Sequence, residues 1–95
     1  MSLKFIISFQ AKEDSIDDFL AIMQHVKTDL PNVDGCAGVQ VLRNTEIPHV
    51  FTLVEAWEDR QKHQVNSQKL IESGAWDQIL GLLAAEPMGN YFEDI

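Results

Sequence analysis

The feature that most constrains this chain is the way its hydrophobic period changes along the sequence. Leu3 to Gln10 alternates, with Leu3, Phe5, Ile7 and Phe9 on one side and Lys4, Ile6, Ser8 and Gln10 on the other. A period of two is a strand. Ser15 then opens a helix. Ser15 and Asp18 have the capping-box spacing, with Asp in place of Glu, and Asp17 and Asp18 suit the positive end of the helix dipole. Ile16, Phe19, Leu20, Met23, Val26 and Leu30 recur at helical spacing until Pro31 stops them. After the turn-rich run 31–35, residues 39–43 read as a second strand. The segment 44–48 is a hairpin-type connection, and 50–58 is a third strand. That third strand sets Phe51, Leu53, Glu55 and Trp57 on one face and Thr52, Val54, Ala56 and Glu58 on the other. Asp59 caps a further helix running to about Glu72, and Gly74 breaks it. The segment 75–85 is a short helix carrying Trp76, Ile79, Leu80 and Leu83, ended by Pro87, and 88–93 can form a last strand.

The order β-α-β-β-α-β specifies an α+β fold: a ferredoxin-like antiparallel sheet with helices on one face. At 95 residues, with no linker, repeat or low-complexity stretch, the expectation is a single domain over 1–95. A chain this size buries only about 60–65% of the surface its unfolded form exposes, so its core is modest. Helices from the same chain cover one face of the sheet, yet Ile6, Val54 and Ala56 put apolar groups on the other. The simplest cover for that second face is another copy of the sheet, which predicts a homodimer through the sheet face.

Charge and composition exclude several function classes. Seven Lys and Arg against fifteen Asp and Glu leave a net charge of −8. With no basic cluster, neither nucleic acid nor an anionic membrane surface is an expected partner. No apolar run approaches the ~18–20 residues of a membrane helix. The opening segment alternates and lacks a basic leader or small-residue cleavage site, so it reads as a strand and not as a signal peptide. One cysteine, Cys36, forms no intramolecular disulfide and fits a reducing cytosol, so a cytoplasmic location is expected. No Cys/His metal spacing, Gly-rich phosphate loop or dinucleotide fingerprint is present.

The stretch Gly35-Cys36-Ala37-Gly38 leading into a strand, followed by Phe51-Thr52-Leu53-Val54-Glu55-Ala56-Trp57-Glu58-Asp59, resembles the antibiotic biosynthesis monooxygenase family. The opening strand, Ala11-Lys12 and the helix ending near Pro31 fit the same template, so the resemblance covers essentially the whole chain. It implies a dimeric α+β barrel. It also implies an oxygenase with no metal, flavin or haem, which oxidises a small aromatic or quinol with molecular oxygen. In such an enzyme the protein supplies orientation, desolvation and a proton acceptor. The same barrel hosts isomerases and members with no known reaction. Two alternatives therefore stand beside it: an isomerase or lyase of a small metabolite, and a non-catalytic dimeric module that binds a small molecule or a partner.

The chain departs from the family pattern in one helix. Many members carry a His where this sequence has Asn66, or Leu70 if the helix holds an extra turn. His63 lies in the same helix out of that register. The haem-degrading branch uses an Asn, a Trp and a His at positions filled here by Phe9, Asn66 and Trp76, so haem degradation is not expected.

Catalytic candidates are His63, Asn66, Glu55 and His49. Glu55, between Leu53 and Trp57, becomes a base if burial raises its pKa, or is neutralised by Arg43 on the neighbouring strand or by a basic group across a dimer. His63 as a general base would sit near neutral pH and is otherwise a surface histidine. His49 lies in the loop before the third strand beside Pro48, where function often resides, and is otherwise an ordinary loop histidine. Asn66 can orient a substrate oxygen but cannot act as a base. Phe9, Trp57, Trp76 and Phe92 are candidates for the walls of a substrate pocket, with Tyr91 able to join them. Each is otherwise a core or interface anchor. His25 is expected to face solvent. Cys36, with no basic neighbour, is not read as a nucleophile.

Overall fold

A computed structural model describes residues 3–95; Met1 and Ser2 of the expected 1–95 domain lie outside the described residues. The chain runs β1 (Leu3–Gln10), α1 (Ile16–Asp29), β2 (Cys36–Arg43), β3 (Val50–Trp57), α2 (Arg60–Ser73), α3 (Ala75–Gly81) and β4 (Met88–Glu93). The sheet is four-stranded and antiparallel, in the order β2-β3-β1-β4. This is the expected α+β ferredoxin-like sheet, its helical half split at Gly74.

Register follows from the alternation. β1 and β3 pair with Phe5 opposite Glu55, Ile7 opposite Leu53 and Phe9 opposite Phe51. Every second residue of β3, Phe51, Leu53, Glu55 and Trp57, is buried. Against this face α1 lays Phe19 and Met23, both fully enclosed. Phe19 sits between Phe9 and Phe51, with ring centroids 5.3 and 5.2 Å away. Burying one such side chain stabilises the fold by about 1.5–3 kcal/mol. Ile79 and Leu83 close the core beside β1. Ala11 bridges Leu83, and Ala84 N–H donates to the Gln10 carbonyl, tying the end of the helical segment to the end of β1.

Three boundaries differ from the sequence reading, each for a local reason. β2 starts at Cys36 and not Val39, because a bulge between Cys36 and Gly38 lets the strand begin early; Gly38 sits at φ 150°. The Ser15 box does not form. A 3-10 turn over Glu13–Ser15 precedes α1, and the Ser15 hydroxyl donates to Asp14. α3 ends at Gly81 and not near Ala85, because Leu83 is drawn into the bridge with Ala11.

Asp59 does cap α2, accepting the Lys62 N–H at 2.8 Å, and Gly74 ends it at φ 84°, a backbone conformation that costs an L side chain strain. No helix among the described residues is long and apolar enough to cross a membrane.

Candidate functional site

Between the helices and the inner sheet face lies an open cavity of about 580 Å³. That volume is in the usual range for small-molecule sites. β1 and β3 give it a floor of Phe5, Ile7, Phe9, Leu53 and Glu55. One wall is α1, through Ile22, Met23 and Val26. The other is α2 and α3, through Leu70, Ile71, Trp76 and Ile79. Its lining is mostly apolar; Glu55, His63, Asn66 and Ser67 come from β3 and α2, and His25 and Asp29 of α1 with Gln78 of α3 complete the polar part.

The placement of the β3 and α2 groups follows from two periodicities. Glu55 is an inward position of β3, so a carboxylate is carried under the helices with its apolar neighbours. The Asp59 cap sets the first turn of α2, and His63, Asn66, Ser67 and Leu70 then fall at i, i+3, i+4 and i+7 on the side that faces the sheet. The sequence reading singled out His63 and Asn66 one by one and missed Ser67, because three of the four members are polar and hydrophobic periodicity does not register them as one face.

Glu55 and His63 are 7% and 6% exposed. Glu55 Oε1 accepts the Trp57 Nε1–H at 2.9 Å, and His63 Nε2 stands 3.9 Å from the same oxygen. His63 is held tightly. Its Nδ1 lies 2.6 Å from the Tyr91 hydroxyl and its Nε2 3.4 Å from the Ser67 hydroxyl. Phe5 stacks on the imidazole at 4.0 Å between centroids, and Trp57 meets it edge-on at 5.3 Å. Burial pushes the Glu55 carboxyl up, opposed by the Trp57 hydrogen bond. Burial pushes the His63 imidazolium down, so the neutral ring is favoured near pH 7. A carboxylate and a neutral imidazole side by side in a mostly apolar cavity can accept a proton from a bound hydroxyl and donate to its oxygen.

Among the sequence-derived candidates, the structure brings Glu55, His63, Asn66, Phe9 and Trp76 to one cavity. It does not bring the other three. His49 sits in the loop before β3, where its carbonyl accepts the Ala11 N–H, and it is not part of the lining. Trp57 is fully buried behind Glu55 and His63, a support for the pair and not a wall. Phe92 pairs across from Lys4, so the strand alternation turns it to the opposite face, where it is 48% exposed. Its neighbour Tyr91 pairs with Phe5 and faces His63. The expected partner of Glu55, Arg43, instead donates to the Pro48 carbonyl and covers the Phe51 ring. His25 is exposed, as expected, and stands at the cavity rim beside Asp29. The Cys36 thiol lies 3.5 Å from the Gly38 carbonyl, and burial pushes its pKa up, which weakens it as a nucleophile. Among the described residues no group of three His, Cys, Asp or Glu is placed to hold a metal ion.

Comparison with solved structures recovers the whole fold. A conserved protein of Methanosarcina mazei Go1 superposes with a TM-score of 0.87 at 16% identity, over 100% of this chain and 94% of the other. A structure named as an antibiotic biosynthesis monooxygenase gives 0.87 at 16% identity, over 98% of each chain. A Bordetella bronchiseptica protein provisionally given the same name gives 0.80 at 24% identity, over 99% and 97%. No curated protein sequence matches the chain significantly. The family model described as antibiotic biosynthesis monooxygenase matches residues 3–68, the span from β1 into the cavity-facing turns of α2. The chain therefore belongs to the antibiotic biosynthesis monooxygenase family.

Proposed function

We propose that the protein is a monooxygenase that oxidises a small aromatic or quinol-type substrate with molecular oxygen, using no resident cofactor. The observation that carries this reading is the buried Glu55–His63 pair in a mostly apolar cavity. Such a cavity accepts a flat, electron-rich ring that displaces water on binding, and dioxygen, itself apolar, enters with it. The pair takes up the ring hydroxyl proton. The anion formed is the reductant: it passes an electron to dioxygen, and the two radicals join at a ring carbon as a peroxide. The O–O bond then breaks with loss of the proton on that carbon. One oxygen stays as a carbonyl and the other leaves as water with the proton the pair returns. All four electrons come from the substrate, so quinol plus dioxygen gives hydroxyquinone plus water. Asn66, on the same wall, is suited to orient a substrate oxygen. Phe9 and Trp76 pack edge to face at 6.4 Å and present ring surface to the substrate.

A homodimer through the outer sheet face belongs to the same reading, since Leu42, Met88 and Phe92 remain exposed there beside Ile6 and Val54. The single free thiol fits a reducing cytoplasm.

The test is oxygen consumption with a reduced naphthoquinone and with an anthrone, measured above their autoxidation. The expected result is one dioxygen consumed per product, one labelled oxygen atom in the product from ¹⁸O₂, and no released hydrogen peroxide. Uptake no faster than autoxidation with both substrates would overturn the oxygenase reading.

A further inference from the structure

Tyr91 touches nothing in the cavity, yet it makes the shortest contact to the His63 ring, 2.6 Å from oxygen to Nδ1. We propose that Tyr91 is a positioning residue: its hydroxyl donates to Nδ1 of His63 and keeps the ring proton on Nε2, so that His63 donates to the substrate oxygen while Glu55 takes the proton. The inference rests on the reading of Glu55 and His63 as the acid–base pair and divides their roles.

Three observations set the direction of the Tyr91 bond. A phenol is a better donor than a neutral imidazole N–H, and an imidazole nitrogen is a better acceptor than a phenol oxygen, so the O–H donates. The Arg60 guanidinium lies 4.4 Å over the Tyr91 ring and draws electron density from it, which favours the hydroxyl as donor. On the other side of the imidazole, the nearest groups to Nε2 are Glu55 Oε1 and the Ser67 hydroxyl, both able to accept from an Nε2–H.

Ring exchange does not offer a way around this choice, because the imidazole is clamped. Phe5 covers it at 4.0 Å and Tyr91 stands perpendicular to it at 5.2 Å. Gly89 in turn makes room for Phe5, since a Cβ there would approach Phe5 Cζ to 2.5 Å. The groups that face His63 are Glu55 and Trp57 from β3, Tyr91 from β4, Phe5 from β1 and Ser67 from its own helix. His25 and Asp29 stand across the cavity on α1. Among these, Tyr91 is the one that reaches Nδ1.

The test is ¹⁵N NMR of histidine-labelled protein at neutral pH, with His25 and His49 assigned from His25→Gln and His49→Gln variants. The expected spectrum of the wild-type protein shows a protonated Nε2 and an unprotonated Nδ1 for His63. Tyr91→Phe keeps the ring under Arg60 and removes only the hydroxyl; it should give mixed tautomers or a protonated Nδ1. A wild-type His63 protonated on Nδ1, or an unchanged tautomer in Tyr91→Phe, overturns the proposal. If quinol or anthrone oxidation is detected, Tyr91→Phe should lower kcat at least about tenfold with KM nearly unchanged. An unchanged kcat overturns the positioning role. Absence of oxidation by the wild-type protein sinks the oxygenase reading and leaves the tautomer measurement to judge Tyr91 alone.

Discussion

Glu55 and His63 are displaced from their ordinary pKa values in opposite directions, and both shifts weaken the charged form. The Glu55 carboxyl is raised from its ordinary 4.5 by desolvation. Activity that depends on its carboxylate should therefore rise with pH through a midpoint above 4.5 in kcat/KM. Glu55→Gln keeps an oxygen for the Trp57 N–H and removes the base; kcat should fall by about 10²–10⁴. The same shift has a stability consequence. A raised folded-state pKa means the folded protein binds more protons than the unfolded chain between 4.5 and the folded value, so stability is lost as pH rises through that window. Glu55→Gln escapes this loss. By urea denaturation it should gain stability relative to wild type at pH 7 and gain none at pH 4. An equal difference at both values would contradict a desolvated Glu55. His63 has the reverse sign. Its pKa is lowered from 6.5 by burial, so below 6.5 the unfolded chain takes up a proton that the folded one resists, and stability falls as pH falls toward the folded value. His63→Gln should flatten that slope.

At the scale of elements, the Asp59 cap matters more than any other helix terminus because α2 carries the site. Asp59 accepts the Lys62 N–H at 2.8 Å, one residue before His63. Asp59→Ala should cost about 1 kcal/mol in chemical denaturation and loosen the turn that aims His63. Ser15→Ala removes a residue of cap type that makes no cap bond, and should change stability by no more than about 0.5 kcal/mol. A loss at Ser15 as large as that at Asp59 would show that the hydroxyl caps α1 in solution. The contrast explains why one cap was legible and the other was not. Asp59 leaves an extended strand and enters the helix at once, with φ −157° and ψ 168°. Ser15 follows a 3-10 turn and sits at φ −118°, ψ 10°, away from the extended geometry a cap residue adopts. Sequence spacing does not encode that difference in approach.

At the scale of the molecule, the sheet has one face under helices and one that no helix among the described residues covers. Ser8 and Thr52 hydrogen-bond across the middle of the outer face, while Leu42, Met88 and Phe92 lie exposed and Ile6, Val54 and Ala56 half-buried on the same side. Sedimentation should give a particle of twice the 10.8 kDa chain mass, and Phe92→Asp should shift it toward the monomer. A wild-type monomer at micromolar concentration would remove the sheet-face dimer. Losing the dimer in Phe92→Asp while the cavity keeps its tautomer signature would show that site and interface are energetically separate.

The order of elements, the inward faces of β1 and β3, the Asp59 cap and the break at Gly74 were all determined by local sequence. Each depends on a short-range rule: a period of two, a period of 3.6, an Asx side chain before a helix, or a positive φ that glycine adopts freely. Even the burial of Glu55 follows from its place between Leu53 and Trp57. What surrounds Glu55 was decided only by the tertiary structure. Arg43 is one strand away and turns to Pro48, whereas His63 comes from α2 and Tyr91 from β4. Phe92 and Tyr91 differ by one residue and so face opposite sides of the sheet, and the antiparallel pairing of β4 with β1 decides which of them meets His63. Register between distant strands, and the side of a polar helix that turns inward, depend on how whole elements dock. No local pattern carries that information.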